Sequence, residues 1–244
     1  TFGQVSQVND IISCVFRKYY YIMYLTLQKT SGSTVRQFSS CINVKGQLFA
    51  MNFHNIYMLN EMTTDDDYLG GYLTLVNPHK NCVMHITIED LYNNFETTSD
   101  CAAVDICGFI VPSSQPHSKG AYSYFITEAD LAILLKSSSL NIAITGADLQ
   151  VSGNVKHVNV MQKEVKARFT TRASPILATW SDDPKAQVYR LPRSLIYEPP
   201  LGPGSCGNFL ATRDGNFANR CLLGIHAAGT KTEGIATIVT RDLL

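Results

Sequence analysis

The sequence has no excess of charge of either sign, which excludes a protein whose overall field attracts nucleic acid or anionic membrane. Twenty lysine and arginine side chains balance twenty aspartate and glutamate side chains, so the formal net charge at pH 7 is zero. Local basic clusters occur at Arg17-Lys18 and at Lys163–Arg172. We interpret both clusters as solvated faces.

The sequence also lacks a regular cysteine framework and an uninterrupted apolar run. Its seven cysteines are an odd number scattered along the chain, which argues against a disulfide-stabilised secreted domain and favours a reducing compartment. The apolar stretch from Ile11 to Leu27 is interrupted by Arg17 and Lys18, and no small-residue cleavage pattern follows it. We therefore expect neither a signal peptide nor a membrane-spanning helix.

Short runs rich in β-branched and aromatic residues, separated by Gly, Asn, Asp, Ser and Pro clusters, predict a β-sandwich or barrel. Helical spacing of apolar residues predicts helices over Val8–Tyr19 and Thr127–Lys136. The strands predicted in the first half are Tyr20–Leu27, Val35–Val44, Gln47–Asn52, Asn55–Leu59, Tyr72–Val76, Val83–Ile88 and Ala102–Val111. Those predicted in the second half are Ile142–Thr145, Leu149–Val151, Lys156–Val160, Lys166–Thr170, Pro175–Thr179, Ala186–Leu191, Cys221–His226 and Ile235–Thr240.

The segment Pro112–Gly120 predicts a boundary between two halves, because it holds two prolines, three serines and a glycine and has no periodic apolar positions. We place a linker at residues 113–130, between a first domain at 1–112 and a second at 131–244. With 45% hydrophobic residues in 244, the chain can bury one large core or two of moderate size. The predicted fold class is all-β with a few short helices.

A glycine-flanked thiol is the strongest chemical signal in the chain. Gly204-Ser205-Cys206-Gly207 reads as a tight turn, and Gly224-Ile225-His226 follows it on a glycine-rich strand. A turn that offers backbone N–H groups to a developing oxyanion needs tight or positive-φ geometry, which side chains with a Cβ resist. We interpret Cys206 as a nucleophile. A buried structural thiol, although common for cysteine, does not explain the Gly202-Pro203-Gly204 approach.

A cysteine nucleophile needs one histidine, because an imidazole can take the proton of a thiol of similar pKa. Of the six histidines, His54 follows the apolar segment 46–53 and is predicted to emerge at the edge of a barrel. A lone histidine is by default a satisfied structural residue. The ordered partners around His54 reverse that preference.

These segments resemble the picornavirus 3C type of chymotrypsin-fold cysteine protease, in which a Gly-x-Cys-Gly turn is followed by a Gly-x-His segment. The resemblance runs from about Cys41 to Ile238 and keeps the order histidine, acid, cysteine, pocket histidine. It implies a chymotrypsin-like double β-barrel with an N-terminal helix. His54 and the acid then belong to the first barrel and the nucleophile to the second. The implied oxyanion hole lies on the backbone of Gly204, Ser205 and Cys206.

The acid that orients His54 is assigned to Asp100, because Ser99–Ile106 resembles the family's aspartate before an alternating apolar strand. On a strand, Asp100 lies on one face and Asp105 on the other. At the entrance of the strand, Asp100 reaches the cleft at a lower desolvation cost. Asp105 and Glu89 stay open as alternatives. Since a thiol is acidic enough to form an ion pair with histidine, the acid should matter less than in a serine enzyme.

The resemblance also makes His226 the residue that selects glutamine, or sometimes glutamate, before the cut, by donating a hydrogen bond to the side-chain carbonyl. Tyr197 resembles the residue that holds the tautomer of this neutral imidazole. Where the family usually has threonine, five residues before the cysteine, this chain has Leu201. The residues expected to pair with the substrate backbone as an extra strand are Ala227, Ala228 and Gly229.

A zinc site and an RNA-binding surface are the competing interpretations. Strand alternation explains the His-x-x-Cys-x-x-His spacing without a metal, so no zinc site is predicted at His79, Cys82, His85, Cys101 and Cys107. The family binds RNA through a basic motif in the linker and through the N-terminal helix. The linker here contains only Lys119 and His117.

The sequence therefore predicts a cysteine endopeptidase that processes a viral polyprotein in the cytoplasm of the host cell. It needs no cofactor, no metal and no membrane. Host proteins are further candidate substrates, and viral RNA is a further candidate partner. The alternative from another class is a viral RNA-binding or replication-complex module on the same fold.

Overall fold

The computed structural model describes residues 2–80, 82–98, 103–112, 118–152, 155–170, 176–178, 189–202 and 204–244. The α-helices of these ranges are α1 (Phe2–Lys18), α2 (His54–Thr63), α3 (Ile88–Asn94) and α4 (Glu128–Leu134). Short 3-10 helices lie at Tyr122–Tyr124 and Gly215–Arg220. Among the described residues, the helices are too short or too polar for any of them to span a bilayer.

The first half of the chain folds into a curled antiparallel sheet. Its strands are β1 (Tyr20–Lys29), β2 (Gly32–Lys45), β3 (Leu48–Asn52), β4 (Tyr68–Val76), β5 (Val83–Thr87), β6 (Phe95–Glu96) and β7 (Ile106–Ile110). They are arranged in the order β5-β4-β1-β2-β3-β7-β6. The curl encloses an apolar core that includes the buried side chains of Met23, Leu25, Phe49, Leu73 and Phe109.

The second half folds into a closed six-stranded barrel. Its strands are β8 (Leu140–Ser152), β9 (Val155–Thr170), β12 (Ser194–Tyr197), β13 (Phe209–Thr212), β14 (Leu222–Gly229) and β15 (Gly234–Ile238). They close in the order β12-β15-β14-β13-β8-β9. A separate two-stranded ribbon pairs β10 (Ile176–Ala178) with β11 (Tyr189–Leu191). The barrel core includes Leu140, Ile142, Leu195, Leu210 and Leu223.

The predicted all-β class with an N-terminal helix is confirmed, but several predicted elements differ from the structure. The predicted strand Asn55–Leu59 is wrong, because it lies in α2, where Ile56 and Leu59 are buried at helical spacing. Four runs predicted between residues 142 and 170 form two continuous strands, β8 and β9. The helix over Thr127–Lys136 is confirmed as α4, whose N-cap hydroxyl, on Thr127, accepts from the Asp130 N–H.

A mixed core holds the two sheets together. Apolar side chains of α1, such as Val8, Ile12 and Val15, are buried in the same cluster as residues from both sheets. That cluster includes Ile22 and Ile42 of the first sheet and Phe209, Leu222 and Ile225 of the barrel. The division of the chain at residues 113–130 stays a prediction, and 113–117 lie outside the described residues.

A buried hydrogen-bond network adds polar contacts between the two sheets. The Tyr20 hydroxyl on β1 accepts from the Ala147 N–H on β8 at 3.0 Å and donates to Asn208 Oδ1 at 2.9 Å. The Ser40 hydroxyl on β2 lies 2.7 Å from the same tyrosine oxygen. Because Asn208 is two residues after Cys206, these bonds tie the segment that carries the thiol to the first sheet.

Candidate active site

Asp105 lies immediately before β7 in a left-handed backbone conformation, with φ of 61°. Aspartate tolerates this conformation better than most residues, because its short polar side chain can bond locally. Strand alternation therefore does not extend back to Asp105, and its carboxylate turns towards α2. One oxygen, Oδ1, accepts the backbone N–H of His54 at 2.8 Å. This contact satisfies one of the free N–H groups at the start of α2.

The second oxygen of the same carboxylate binds the imidazole. His54 Nδ1 lies 2.8 Å from Asp105 Oδ2, and each of the two side chains is only 3% exposed. The amide of Asn52 donates to the same oxygen at 3.1 Å. With Nδ1 on the carboxylate, the other ring nitrogen is left for the Cys206 thiol, with which the His54 ring also hydrogen-bonds. Asp105, His54 and Cys206 thus form a connected series.

The electrostatics of this series favour a charged imidazole. Burial by itself lowers the pKa of His54, but the negative charge of Asp105 and the hydrogen bonds to Asp105 and Cys206 outweigh it and raise that pKa to about 10. A protonated His54 stabilises a thiolate beside it, which is the reactive form of cysteine. The arrangement therefore suits nucleophilic attack by Cys206.

The contact that sequence reasoning assigned to Asp100 is made by Asp105, one of its two alternatives. Asp100 lies outside the described residues, so its own assignment stays a prediction. The other alternative, Glu89, is exposed in the first turn of α3. The strand predicted from Ala102 begins only at Ile106, and this shift explains why the face argument did not favour Asp105.

The turn that carries Cys206 has the backbone geometry that its glycines predicted. Gly204 and Gly207 have φ values of 82° and 85°. Ser205 was predicted to belong to the oxyanion hole, but its N–H donates to Gly202 O at 3.3 Å within the turn. Across the described residues, no acceptor is found for the N–H of Gly204 or of Cys206. These two groups can converge on an oxyanion next to the thiol.

Gly207 is in close contact with the first sheet, which makes it a test of the turn. A Cβ at this position would lie 2.0 Å from the Ser40 carbonyl oxygen. We expect Gly207→Ala to destabilise the protein by at least ~2 kcal/mol, from the left-handed backbone and the clash together. The midpoint of thermal unfolding should fall by roughly 4–8 °C.

Gly202→Ala is the matched control in the same turn. Among the described residues, no atom would lie within 4 Å of a Cβ added at Gly202. Calorimetry on the two variants and the wild type compares their unfolding midpoints. Equal stability of Gly207→Ala and Gly202→Ala would contradict the close approach of this turn to β2.

The remaining described cysteines differ from Cys206 in their surroundings. Cys41, Cys107 and Cys221 are buried, and Cys14 and Cys82 are partly exposed; all are free thiols. Burial raises the pKa of Cys41 well above its usual range and that of Cys221 to about 12. Thiols of this kind are inert. Cys206 combines partial exposure with an adjacent imidazole.

His226 lies on β14 with its ring held by Tyr197 of β12. The Tyr197 hydroxyl is 2.5 Å from His226 Nδ1. Burial, reinforced by the charge on His54, lowers the pKa of His226 to about 3. The ring is therefore neutral near pH 7. A tyrosine O–H that donates to Nδ1 leaves a hydrogen on Nε2, so this nitrogen can donate to a ligand.

β14 continues beyond the end of its ladder with β13. β14 pairs with β13 as far as Ile225 opposite Phe209, while its other side stays paired with β15 to Gly229. Ala227 is buried, and its carbonyl oxygen lies 3.7 Å from the Cys206 Sγ. A peptide strand added beside Ala228 and Gly229 would therefore run past the thiol.

Two buried polar residues near Cys206 and His54 were not predicted from sequence. Ser39 of β2 donates to Cys206 O at 3.0 Å, and Asn55 of α2 donates to Ser39 Oγ at 3.1 Å. Both contacts join residues far apart along the chain. No periodicity or motif signals them, although the position of Asn55 directly after the candidate histidine was visible.

Comparison with solved structures identifies the fold. The HRV-C 3C protein, solved with rupintrivir, matches with a TM-score of 0.52 and 13% sequence identity over 97% of this chain and 98% of that one. The active form of a protease from M. tuberculosis matches with a TM-score of 0.47 and 12% identity over 95% of this chain and 80% of that one. No protein-family model and no curated protein sequence matches the chain. The chain has the chymotrypsin-like fold that its motifs implied.

Proposed function

We propose that the protein is a cysteine endopeptidase whose catalytic residues are Cys206, His54 and Asp105. The observation that carries the proposal is the hydrogen-bonded series of these three side chains beside two backbone N–H groups for which the described residues supply no acceptor. A thiol, a base and an orienting acid at hydrogen-bond distance are the parts that acyl transfer through a covalent intermediate requires. The chymotrypsin-like fold supports the same reaction class by analogy.

In the proposed reaction, the Cys206 proton moves to His54, and Sγ attacks the carbonyl carbon of the scissile peptide bond. The carbonyl oxygen becomes an oxyanion, which accepts hydrogen bonds from the N–H groups of Gly204 and Cys206. Loss of one such donor in a related mechanism costs about 10²–10³ in kcat. The negative charge of Asp105 stabilises the imidazolium throughout this step.

The second half of the cycle restores the thiol. The tetrahedral intermediate collapses with cleavage of the C–N bond, and the imidazolium of His54 protonates the departing amine. Water, deprotonated by the now neutral His54, attacks the thioester on Cys206. Collapse of that intermediate releases the carboxylic acid, and the proton on His54 returns to the Cys206 sulfur.

The proposed specificity is for glutamine, or glutamate, before the cut. His226 is buried and neutral, and its Nε2–H is suited to donate to a side-chain carbonyl oxygen. Tyr197 fixes this tautomer from the opposite side of the ring. Leu201 packs against the barrel core at the position where the resembling family has threonine, so the imidazole supplies the recognition without a hydroxyl from that position.

Mutation of His226 tests the proposed specificity. We expect His226→Ala to lower kcat/KM for a peptide with glutamine before the cut by about 10- to 100-fold, the value of one buried hydrogen bond. For a peptide with alanine before the cut, the same substitution should lower kcat/KM much less. Because the pKa of His226 is lowered to about 3, the wild-type preference for glutamine should stay constant between pH 5 and 8. Rates on a peptide library measure both.

Tyr197→Phe is the control for this prediction. It keeps the aromatic ring but removes the donor to Nδ1, so it should weaken the preference for glutamine less than the loss of His226 does. An unchanged preference in His226→Ala would place the specificity pocket elsewhere. A preference for glutamine that disappears on acidification to pH 5 would contradict a neutral His226.

The proposed biological substrate is a polyprotein of a positive-strand RNA virus, cleaved in the cytoplasm of the host cell. The likeness of the cysteine and histidine segments to 3C-type proteases supports this assignment. Cleavage of host proteins and binding of viral RNA stay predictions from the sequence.

A further inference from the structure

We propose that Ser39 and Asn55 are positioning residues that set the orientation of the nucleophile from the first sheet. The proposal rests on the proposed function, since it explains how Cys206 is held for that reaction. Neither side chain belongs to the cysteine, histidine and acid series. Both are buried, with exposed fractions of 0% for Ser39 and 1% for Asn55.

The direction of the hydrogen bonds between these residues is fixed by chemistry. The Asn55 amide nitrogen lies 3.1 Å from Ser39 Oγ and can only donate. The Cys206 carbonyl oxygen lies 3.0 Å from Ser39 Oγ and can only accept. The Ser40 carbonyl oxygen is the other acceptor near this hydroxyl, but it lies farther away, at 3.5 Å. The shorter contact assigns the single proton of Ser39 to Cys206 O. A relay runs from the residue after His54, through β2, to the backbone of the nucleophile.

The relay acts on one peptide group that is held from both sides of the interface between the first sheet and the barrel. The Cys206 carbonyl oxygen also accepts the Ser40 N–H at 2.9 Å. The N–H of the same peptide, on Gly207, donates to His226 O at 3.0 Å. Rotation about the Cα–C bond of Cys206 would swing its thiol and its own N–H together. Fixing this carbonyl therefore orients the nucleophile and one oxyanion donor at once.

Such control is needed because the reacting groups come from different sheets. His54, in α2, and Asp105, just before β7, belong to the half of the chain that forms the first sheet, whereas Cys206 lies in the loop before β13 of the barrel. A displacement of about 1 Å between reacting groups can cost on the order of 10²-fold in rate. Asn55 directly follows His54, so the relay couples the position of the base to that of the thiol.

Replacement of Ser39 by alanine tests the relay. We expect Ser39→Ala to lower kcat for a glutamine peptide by about 10- to 100-fold with KM within about threefold of wild type, since ground-state binding is untouched. Alkylation of Cys206 by iodoacetamide should stay within about threefold, because it forms no oxyanion and has no demand for a fixed approach. A merely structural defect would lower kcat in proportion to the folded fraction and would also open buried thiols, such as Cys41 and Cys107, to alkylation.

Ser194→Ala is the matched control. Ser194 is also fully buried, and its hydroxyl donates to a backbone carbonyl, that of Leu191, at 3.1 Å. It shares the chemistry of Ser39 without touching the nucleophile. We expect kcat of Ser194→Ala to stay near the wild-type value at a comparable cost in stability. An equal fall of kcat in both serine variants would overturn the proposal.

Mutation of Asn55 tests the relay independently. Asn55→Ala leaves the bond from Ser39 to Cys206 in place, so kcat should fall by only about three- to tenfold. In the Ser39→Ala background, the same substitution should change kcat little, because its acceptor is already gone. Additive effects would overturn the relay. If Ser39→Ala does not fold, an unchanged kcat in Asn55→Ala overturns it instead.

Failure of the relay and failure of the endopeptidase assignment give different experimental results. Wild-type protein that alkylates at Cys206 but cuts no peptide of the library would refute the endopeptidase assignment before any relay variant is compared. Wild-type protein that cuts glutamine peptides, with Ser39→Ala retaining full kcat, would refute the relay alone. A selective loss of kcat in Ser39→Ala supports both.

Discussion

Cys206→Ala will lose cleavage of glutamine peptides by on the order of 10⁵-fold or more, because the substitution removes the atom that forms the covalent intermediate. The Cys206 side chain is only partly buried, and its sulfur makes a long, weak contact of 3.7 Å with the Ala227 carbonyl oxygen. The variant should therefore unfold within about 4 °C of the wild type, as expected for a substitution worth less than 1 kcal/mol. Peptide cleavage followed by mass spectrometry, together with calorimetry, measures both.

Cys14→Ala is the control for the loss of a thiol. Cys14 is also partly exposed, but the hydrogen-bond partner of its sulfur is the Tyr124 hydroxyl, at 3.9 Å. The Cys14→Ala variant should cleave glutamine peptides at the wild-type rate. Cleavage that survives in Cys206→Ala, or is lost in Cys14→Ala, would contradict the assignment of the nucleophile.

Asp105→Asn is expected to lower kcat/KM by on the order of 10²-fold, which is less than the ~10⁴ of the corresponding change in a serine triad. An amide –NH₂ at the position of Oδ2 would face two donors, His54 Nδ1 and the Asn52 amide. The imidazole would then shift its proton to the other nitrogen and lose its ability to take the thiol proton. The carboxylate charge that stabilises the imidazolium is lost as well.

The pH profile of Asp105→Asn gives a second readout. The negative charge of Asp105 is among the causes that raise the pKa of His54 to about 10. A group with a raised pKa keeps its proton until the pH rises through that value, so removal of its partner moves deprotonation to lower pH. The alkaline limb of kcat/KM should therefore shift to lower pH in this variant.

Asp100→Asn decides between the two aspartates. With the His54 contact made by Asp105, we expect Asp100→Asn to keep kcat/KM within about threefold of the wild type, as for a residue outside the catalytic series. Its alkaline limb should not move. A loss of 10²-fold in Asp100→Asn with an active Asp105→Asn would restore the assignment made from the sequence.

The order of the chemical segments could be predicted because each depends on local backbone chemistry. Gly204 and Gly207 needed positive φ, and the structure has it at both. The contact of Tyr197 with His226 was implied by the family resemblance and is present. The chymotrypsin-like fold followed from the same ordered segments.

The contact between Asp105 and His54 could not be singled out from the sequence, because strand alternation holds only inside a strand. Asp105 lies one residue before β7 in a left-handed conformation, which no period-2 pattern describes. The predicted strand Asn55–Leu59 lies in α2 because a short apolar run fits the spacing of a helix as well as that of a strand. Ser39 and Asn55 form contacts across the interface of the two sheets, and such contacts depend on the folded arrangement.

The intact mass of the protein, acid-quenched during turnover of a glutamine peptide ester, is the measurement that tests the endopeptidase assignment most directly. A thioester intermediate adds the mass of one acyl group, and peptide mapping assigns it to a residue. We predict a single adduct on Cys206 in the wild type and none in Cys206→Ala. An adduct on another residue, or hydrolysis of the ester that continues in Cys206→Ala, would contradict the assignment.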